Sequence, residues 1–240
     1  MNLYHSKGII FRSLKYSETS IICDIYTREK GLRSFIVSGV RSSKSGSKAA
    51  IFQHLNIVEI VTYNQDAEKL TRIKEIGLFY HYRQINVQVV VSSIAMFILE
   101  ICRNAIKERE YNSELYDFLE SWLMFLDQEV KPHPCLHLLF MIQLSNEIGF
   151  GPMHNHSEIN VCFNMMEGLF TPDTTSQDAM DATESFAFQS LLNVDKHTIH
   201  LVTVQKDIRD SLTDRLITYY RLHMSGFKKI NSLEVLRSIL

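Results

Sequence analysis

The sequence predicts an α+β chain of two domains. A five-stranded β-barrel occupies residues 1–80. An all-α region follows over 81–240, with an irregular β-hairpin segment inserted at about 152–183. Three observations predict this. The first 80 residues hold five runs rich in β-branched and aromatic residues, separated by polar breaks. From Ile85 the apolar period turns helical. The charge balance changes at the same place. Residues 1–80 carry 12 Lys+Arg against 7 Asp+Glu, and residues 81–240 carry 13 against 20.

The strands are "KGIIFRSL", "TSIICDIYT", "LRSFIVSGV", "HLNIVEIVTY" and "KLTRIKEIGLFY". "KYSE", "EKG" and "NQDAE" are hairpin-length breaks. One longer loop, "SGVRSSKSGSK", joins the third and fourth strands. It holds three basic residues, two glycines, five serines and no acid. Five strands in 80 residues is the size of a small closed barrel. The OB fold is the leading candidate and an SH3-like barrel the alternative.

Ile85–Lys107 is apolar almost all round and reads as a central helix covered by others. "NSELYDFLESWLMFL" sets Leu115, Phe118, Leu119, Trp122, Leu123 and Leu126 on one stripe, with Asn112 or Ser113 as cap. "KPHPCLHLLFMIQLSNEIG" starts with prolines suited to a first helical turn and stops at Gly149. "INVCFN" and "GLFTP" form the hairpin around "MMEG". A helix over Ser185–Asn193, a turn near Thr198 and a long helix from Val204 follow. The last helix begins at "INSLE", where Asn231 and Glu234 have capping-box spacing.

Composition narrows the function. With 45% hydrophobic and 22% charged residues the chain is ordinary globular protein. No secretory signal is visible, and "VVVSSIAMFIL" is too short to span a bilayer. The four cysteines are scattered among apolar neighbours, as in reduced cytosolic proteins. A cytoplasmic protein without membrane attachment is expected. There is no GxGxxG, Walker loop, GxSxG or HExxH. Asp207, Asp210 and Asp214 share a helical face, but Lys206 and Arg209 lie beside them, so a charge-paired surface outweighs a metal nuclease. His154, His156 and Cys162 make three ligand types without a fourth, and polar loop histidines are the better reading.

The basic residues carry the positive reading. Lys7, Arg12 and Lys15 flank the first strand, Arg28 and Arg33 the next tight turn, and Arg41, Lys44 and Lys48 lie in the loop. On a barrel they come from neighbouring strands and form one groove for phosphates, with Tyr16 and Tyr26 as candidate platforms for bases. The loop is either a phosphate clamp or a solubilising surface loop. In the last 26 residues five cations, among them Arg221, Lys228 and Lys229, face the single acid Glu234. They suit an acidic peptide, an extension of the nucleic-acid track, or cations near helix C-termini.

Three stretches resemble the bacterial RecO family of recombination mediators. "YSETSIICDIYTREKGLRSFIVSGVRSSKS" is similar to its N-terminal signature, a Y-x-E-x-S break, an apolar strand, TRExG, then a strand ending in G-x-R. "LLFMIQLSNEIGFGP" resembles the helix ending in LGYGP, and "INSLEVLRSIL" the C-terminal SLEVL ending. The resemblance implies an N-terminal OB domain and a helical C-terminal domain. It implies binding of single- and double-stranded DNA, annealing of complementary strands, and loading of recombinase, with RecR, onto DNA coated by single-strand-binding protein. It implies no catalytic residue and no cofactor. Arg28, Arg33, Arg41 and Lys44 occupy family-like basic positions. Arg221, Lys228 and Lys229 are candidates for the acidic tail of single-strand-binding protein. Many family members carry two CxxC pairs after GYGP, a zinc site. Here that segment is "MHNHSEINVCFNMMEGLF", with one cysteine, and no metal is expected. The rival readings are a protein-interaction scaffold and an RNA-binding OB protein.

Overall fold

Strand β1, Leu3–Lys15, is long enough to serve two neighbours. Its first half pairs antiparallel with β4, Ile57–Tyr63, and its second half with β2, Ile21–Thr27. The computed structural model that shows this describes residues 3–40, 46–63, 70–107, 109–173 and 175–240. Strand β3, Gly31–Val37, continues from β2, and β5, Thr71–Leu78, pairs with β4. A short parallel contact, Phe35↔Thr71 and Ile36↔Arg72, closes the barrel in the order β1-β2-β3-β5-β4. This five-stranded closed barrel is the OB-type architecture the strand runs predict.

The barrel interior is filled by Ile10, Ile21, Cys23, Ile25, Phe35, Val40, Phe52, Val58 and Ile60. Phe52 comes from the segment after α1, Gly46–Ile51, a helix between β3 and β4 where the sequence reads as loop. Two glycines make close approaches. A Cβ on Gly8 would meet Ile25 Cγ2 at 2.4 Å where β1 changes partners. Gly31, at φ 65°, would meet the Glu110 carbonyl oxygen at 2.1 Å.

The register of β1 against β2 slips between Ile10 and Arg12. Such a bulge shifts the in–out alternation by one residue. Before it, Lys7 and Ile9 face outward while Ile10 enters the core. After it, Ser13 faces inward, donating to the Phe52 carbonyl at 2.7 Å. Arg12 and Leu14 therefore join the outer wall, opposite Asp24 and Ile22.

Two helices pack on the barrel. Helix α2 is Val89–Ala105 and α3 is Ser113–Leu126. Ile98, Leu99 and Cys102 of α2 and Leu119 and Leu123 of α3 surround Ile9, Phe11 and Leu55. Asn112 caps α3, its side chain accepting from the Leu115 N–H at 2.9 Å. The chain divides into two compact units, 1–129 and 130–240, so these helices go with the barrel.

In the second unit, α4 is Leu136–Glu147, α5 is Ala182–Leu192 and α6 is Lys206–His223. The hairpin forms from β6, Cys162–Asn164, and β7, Leu169–Thr171. A 3-10 turn at Ile199–Leu201 and α7, Leu233–Ile239, complete it. Two expectations are corrected. The helix buried on every side is α4, whereas α2 leaves Val89 and Met96 exposed. The capping box forms at Asp181 and Glu184 of α5, not at Asn231 and Glu234, because Ser232 is the N-cap of α7 and makes no side-chain cap bond. No helix among the described residues is long and apolar enough to cross a membrane.

Candidate nucleic-acid interface

The structure sorts the basic residues into two groups rather than one groove. On the outer wall toward α3, Lys7 lies 3.3 Å from Glu120 and 3.7 Å above the Phe79 ring. Arg28 grips Asp117 with two parallel bonds, Nε to Oδ1 and Nη2 to Oδ2, each 2.7 Å. These bonds raise the Arg28 pKa and hold the Asp117 carboxyl below the usual carboxylate range. Arg33 donates to the carbonyl oxygens of Leu32, at 2.9 Å, and Arg109, at 2.6 Å, and partial burial lowers its pKa. All three cations are committed inside the first unit.

Arg12 and Lys15 are exposed, with no ion pair among the described residues. Arg72 of β5, which sequence reasoning passed over, has the same exposed and unpaired character. It stands beside Ile36 only because β5 runs parallel to β3, a pairing without a hairpin to betray it. Arg41 and Lys44 lie outside the described residues. Lys48 falls in α1, where only its backbone is described.

The two tyrosines part company. Tyr16, in the turn after β1, is 60% exposed. Tyr26 is 1% exposed, stacked on Phe11 at 5.5 Å between ring centroids and on Tyr116 of α3 at 6.3 Å. It is a packing residue, and no face of its ring is open to a base. The alternation of β2 does place Tyr26 outward, but α3 covers that position.

The opposite side of the barrel is acidic. Glu59 of β4, Glu75 of β5 and Glu29 surround His5, Ser6 and Lys7 in a shallow depression, and Ser6 donates to the Glu29 carboxylate. A polyanion is repelled there.

In the second unit, Arg221, Lys228 and Lys229 are exposed around Phe227 and Ile230, which are buried. Of the row Asp207, Asp210 and Asp214, Arg237 bonds the Asp214 carboxylate at 2.7 Å and the Asp210 carbonyl at 3.0 Å. The hairpin does not fit a closed zinc site. Cys162 is 1% exposed in β6, and His156 sets its ring against Phe170. Between them the Asn155 amide brackets Phe170, donating to its carbonyl at 2.9 Å and accepting its N–H at 2.8 Å. Among the described residues no three His, Cys, Asp or Glu are grouped to hold a metal.

Family models match both parts of the chain. Recombination protein O N terminal covers residues 1–82, and Recombination protein O C terminal covers 88–160. The chain is 34% identical over 235 residues to the DNA repair protein RecO of Flavobacterium psychrophilum, covering 98% of each. It is 32% identical over 238 residues to that of Christiangramia forsetii, and 32% over 238 residues to that of Phocaeicola vulgatus, covering 99% of each in both cases. A closed five-stranded barrel, the helices that follow it and similarity along the whole chain lead to one conclusion: the chain belongs to the recombination protein O family.

Proposed function

We propose that this protein acts in DNA repair as a DNA-binding recombination mediator without catalytic activity of its own. It anneals complementary single strands and, with RecR, helps load recombinase onto DNA coated with single-strand-binding protein. The observation that carries this reading is the pair of exposed cations Arg12 and Arg72, without an ion pair among the described residues, on the outer wall of the barrel. Their neutralisation of phosphates lets two complementary strands approach and pair. The loop cations Arg41, Lys44 and Lys48 also neutralise phosphates in the same reading. Residues 1–80 are the nucleic-acid module and 81–240 the partner module, where Arg221, Lys228 and Lys229 receive the acidic tail of single-strand-binding protein. Family membership and the similarity to DNA repair protein RecO of several bacteria support the assignment.

The test is fluorescence anisotropy of a labelled single-stranded oligonucleotide, titrated at salt concentrations from about 50 to 200 mM. With three to six phosphates neutralised, the expected log–log slope is about −2 to −4. No binding at the lowest salt overturns the reading. Preferential binding of an RNA of the same sequence, in direct competition, replaces DNA with RNA as the ligand.

A further inference from the structure

The hairpin of the second unit is fastened on both of its edges. Phe163 of β6 and Phe170 of β7 face each other in register, and the backbone groups of each turn outward from the pair. On the β6 side, the Phe163 N–H donates to Ser185 Oγ at 3.0 Å, and its carbonyl accepts from the Met180 N–H at 2.8 Å. On the β7 side, the Asn155 amide takes both Phe170 groups, as the peptide unit of a further strand would. The next rung is backbone, the Met153 N–H donating to the Gly168 carbonyl at 2.8 Å. Asn164 fixes the turn, its side-chain oxygen accepting from the Met166 and Glu167 N–H groups at 2.9 and 3.2 Å. From α6, His223 Nε2 donates to the Met165 carbonyl at 2.8 Å. Phe163 and Phe170 are buried against Phe188 of α5 and Tyr219 of α6. The Phe163 ring centroid lies 4.5 Å from that of Phe188 and 5.7 Å from that of Tyr219.

We propose that Asn155 and this aromatic cluster hold the hairpin where the family resemblance implies a zinc ion, so that the hairpin is folded in the metal-free protein. A structural zinc ties a segment together through four converging ligands, and its removal unfolds what it held. The ligand-type side chains of this segment do not converge. Cys162 is buried in β6, in register with Thr171. His156 sets its ring edge on Phe170, with centroids 5.1 Å apart, and His154 is exposed. Among the described residues no three His, Cys, Asp or Glu are grouped to hold a metal. The stretch 153–156 needs no ion to reach the hairpin. Two bonds from the Asn155 side chain and the Met153 rung already fasten it to β7 and its turn. Behind β7 the packed rings supply the apolar burial that a small metal knuckle lacks. A hairpin held in this way is indifferent to chelators.

The experiment uses the full chain, produced in zinc-supplemented medium and purified without chelator. It reads the zinc content, the thermal midpoint with and without EDTA, and the hydrogen exchange of the Phe170 amide. Zinc is expected at less than about 0.1 per chain, whereas a closed structural site would retain about one. EDTA is expected to shift the midpoint by less than about 1 °C and to leave Phe170 exchange unchanged. In the Asn155→Ala variant the Phe170 amide is expected to exchange about tenfold faster, with or without EDTA, as the loss of one hydrogen bond predicts. Zinc near one per chain, or a midpoint that EDTA lowers by several degrees, overturns the proposal. So does Phe170 exchange that Asn155→Ala leaves unchanged. The zinc content and the EDTA comparison need no substitution, so they decide the matter even if the variant folds poorly.

Discussion

Arg28 and Arg12 leave the same barrel and meet different fates. Arg28 finds Asp117 on α3 and forms a bidentate pair, whereas Arg12 sits opposite Asp24 without an ion pair. Sequence gives both residues the same charge, and what separates them is a bulge and a helix packed on one wall only. The same contrast between a polar side chain and its packing governs His137 of α4. It is buried, with Nε2 3.0 Å from Thr213 Oγ1 on α6. Burial first, then the charge of Arg209, pulls its pKa from 6.5 down to about 3. A lowered folded pKa means that the unfolded chain binds the proton more readily. The stability from a neutral His137 is therefore complete above pH 6.5 and declines as the pH falls toward 3. The full span corresponds to about 5 kcal/mol. A His137→Gln variant, which keeps a polar group for Thr213, is expected to flatten the loss of urea resistance between about pH 6.5 and 5. Parallel wild-type and variant curves would contradict this assignment.

At the scale of elements, Asp127 ties the end of α3 to the start of α2. It is 2% exposed and accepts backbone N–H bonds from Arg83, Gln84 and Ile85 at 2.8–3.0 Å, and the Tyr80 hydroxyl at 3.2 Å. Removing the carboxylate leaves those donors, the buried Ile85 N–H among them, without their acceptor. Asp127→Ala is expected to cost roughly 3 kcal/mol in chemical denaturation, and Asp127→Asn less. A change within experimental error would show that water replaces the carboxylate. Elements with strong local patterns were legible in the sequence: the five strands, the Asn112 cap, and the hairpin around "MMEG". Elements decided by distant contacts were not. Helix α1 lies in a serine- and glycine-rich stretch without periodicity. The bulge after Ile10 leaves no mark in a run that alternates on both sides of it. Two segments had capping-box spacing, and "DATES" won over "NSLE" because Asp181 and Glu184 bond reciprocally, with Glu184 also held by Arg215 at 3.1 Å. For the candidate site, charge and composition pointed to the barrel, but strand register selects the wall.

At the scale of the whole molecule, the charge division between the first 80 residues and the rest is real but coarse. Part of the basic excess is spent inside the first unit, on Glu120, Asp117 and the Arg109 carbonyl. Arg12 and Arg72 stand exposed on the outer wall of the barrel, and the central claim is that this wall, not the net charge of the module, binds DNA. Two double variants with equal change in charge test it most directly. Arg12→Gln/Arg72→Gln removes cations of this wall, and Lys7→Gln/Arg28→Gln removes paired ones. Anisotropy with a single-stranded oligonucleotide, over a salt series, reads both. The first variant is expected to weaken binding about tenfold and to reduce the slope by about 1, while the second changes affinity less than about threefold. Equal losses, or a larger loss from Lys7 and Arg28, would contradict the account.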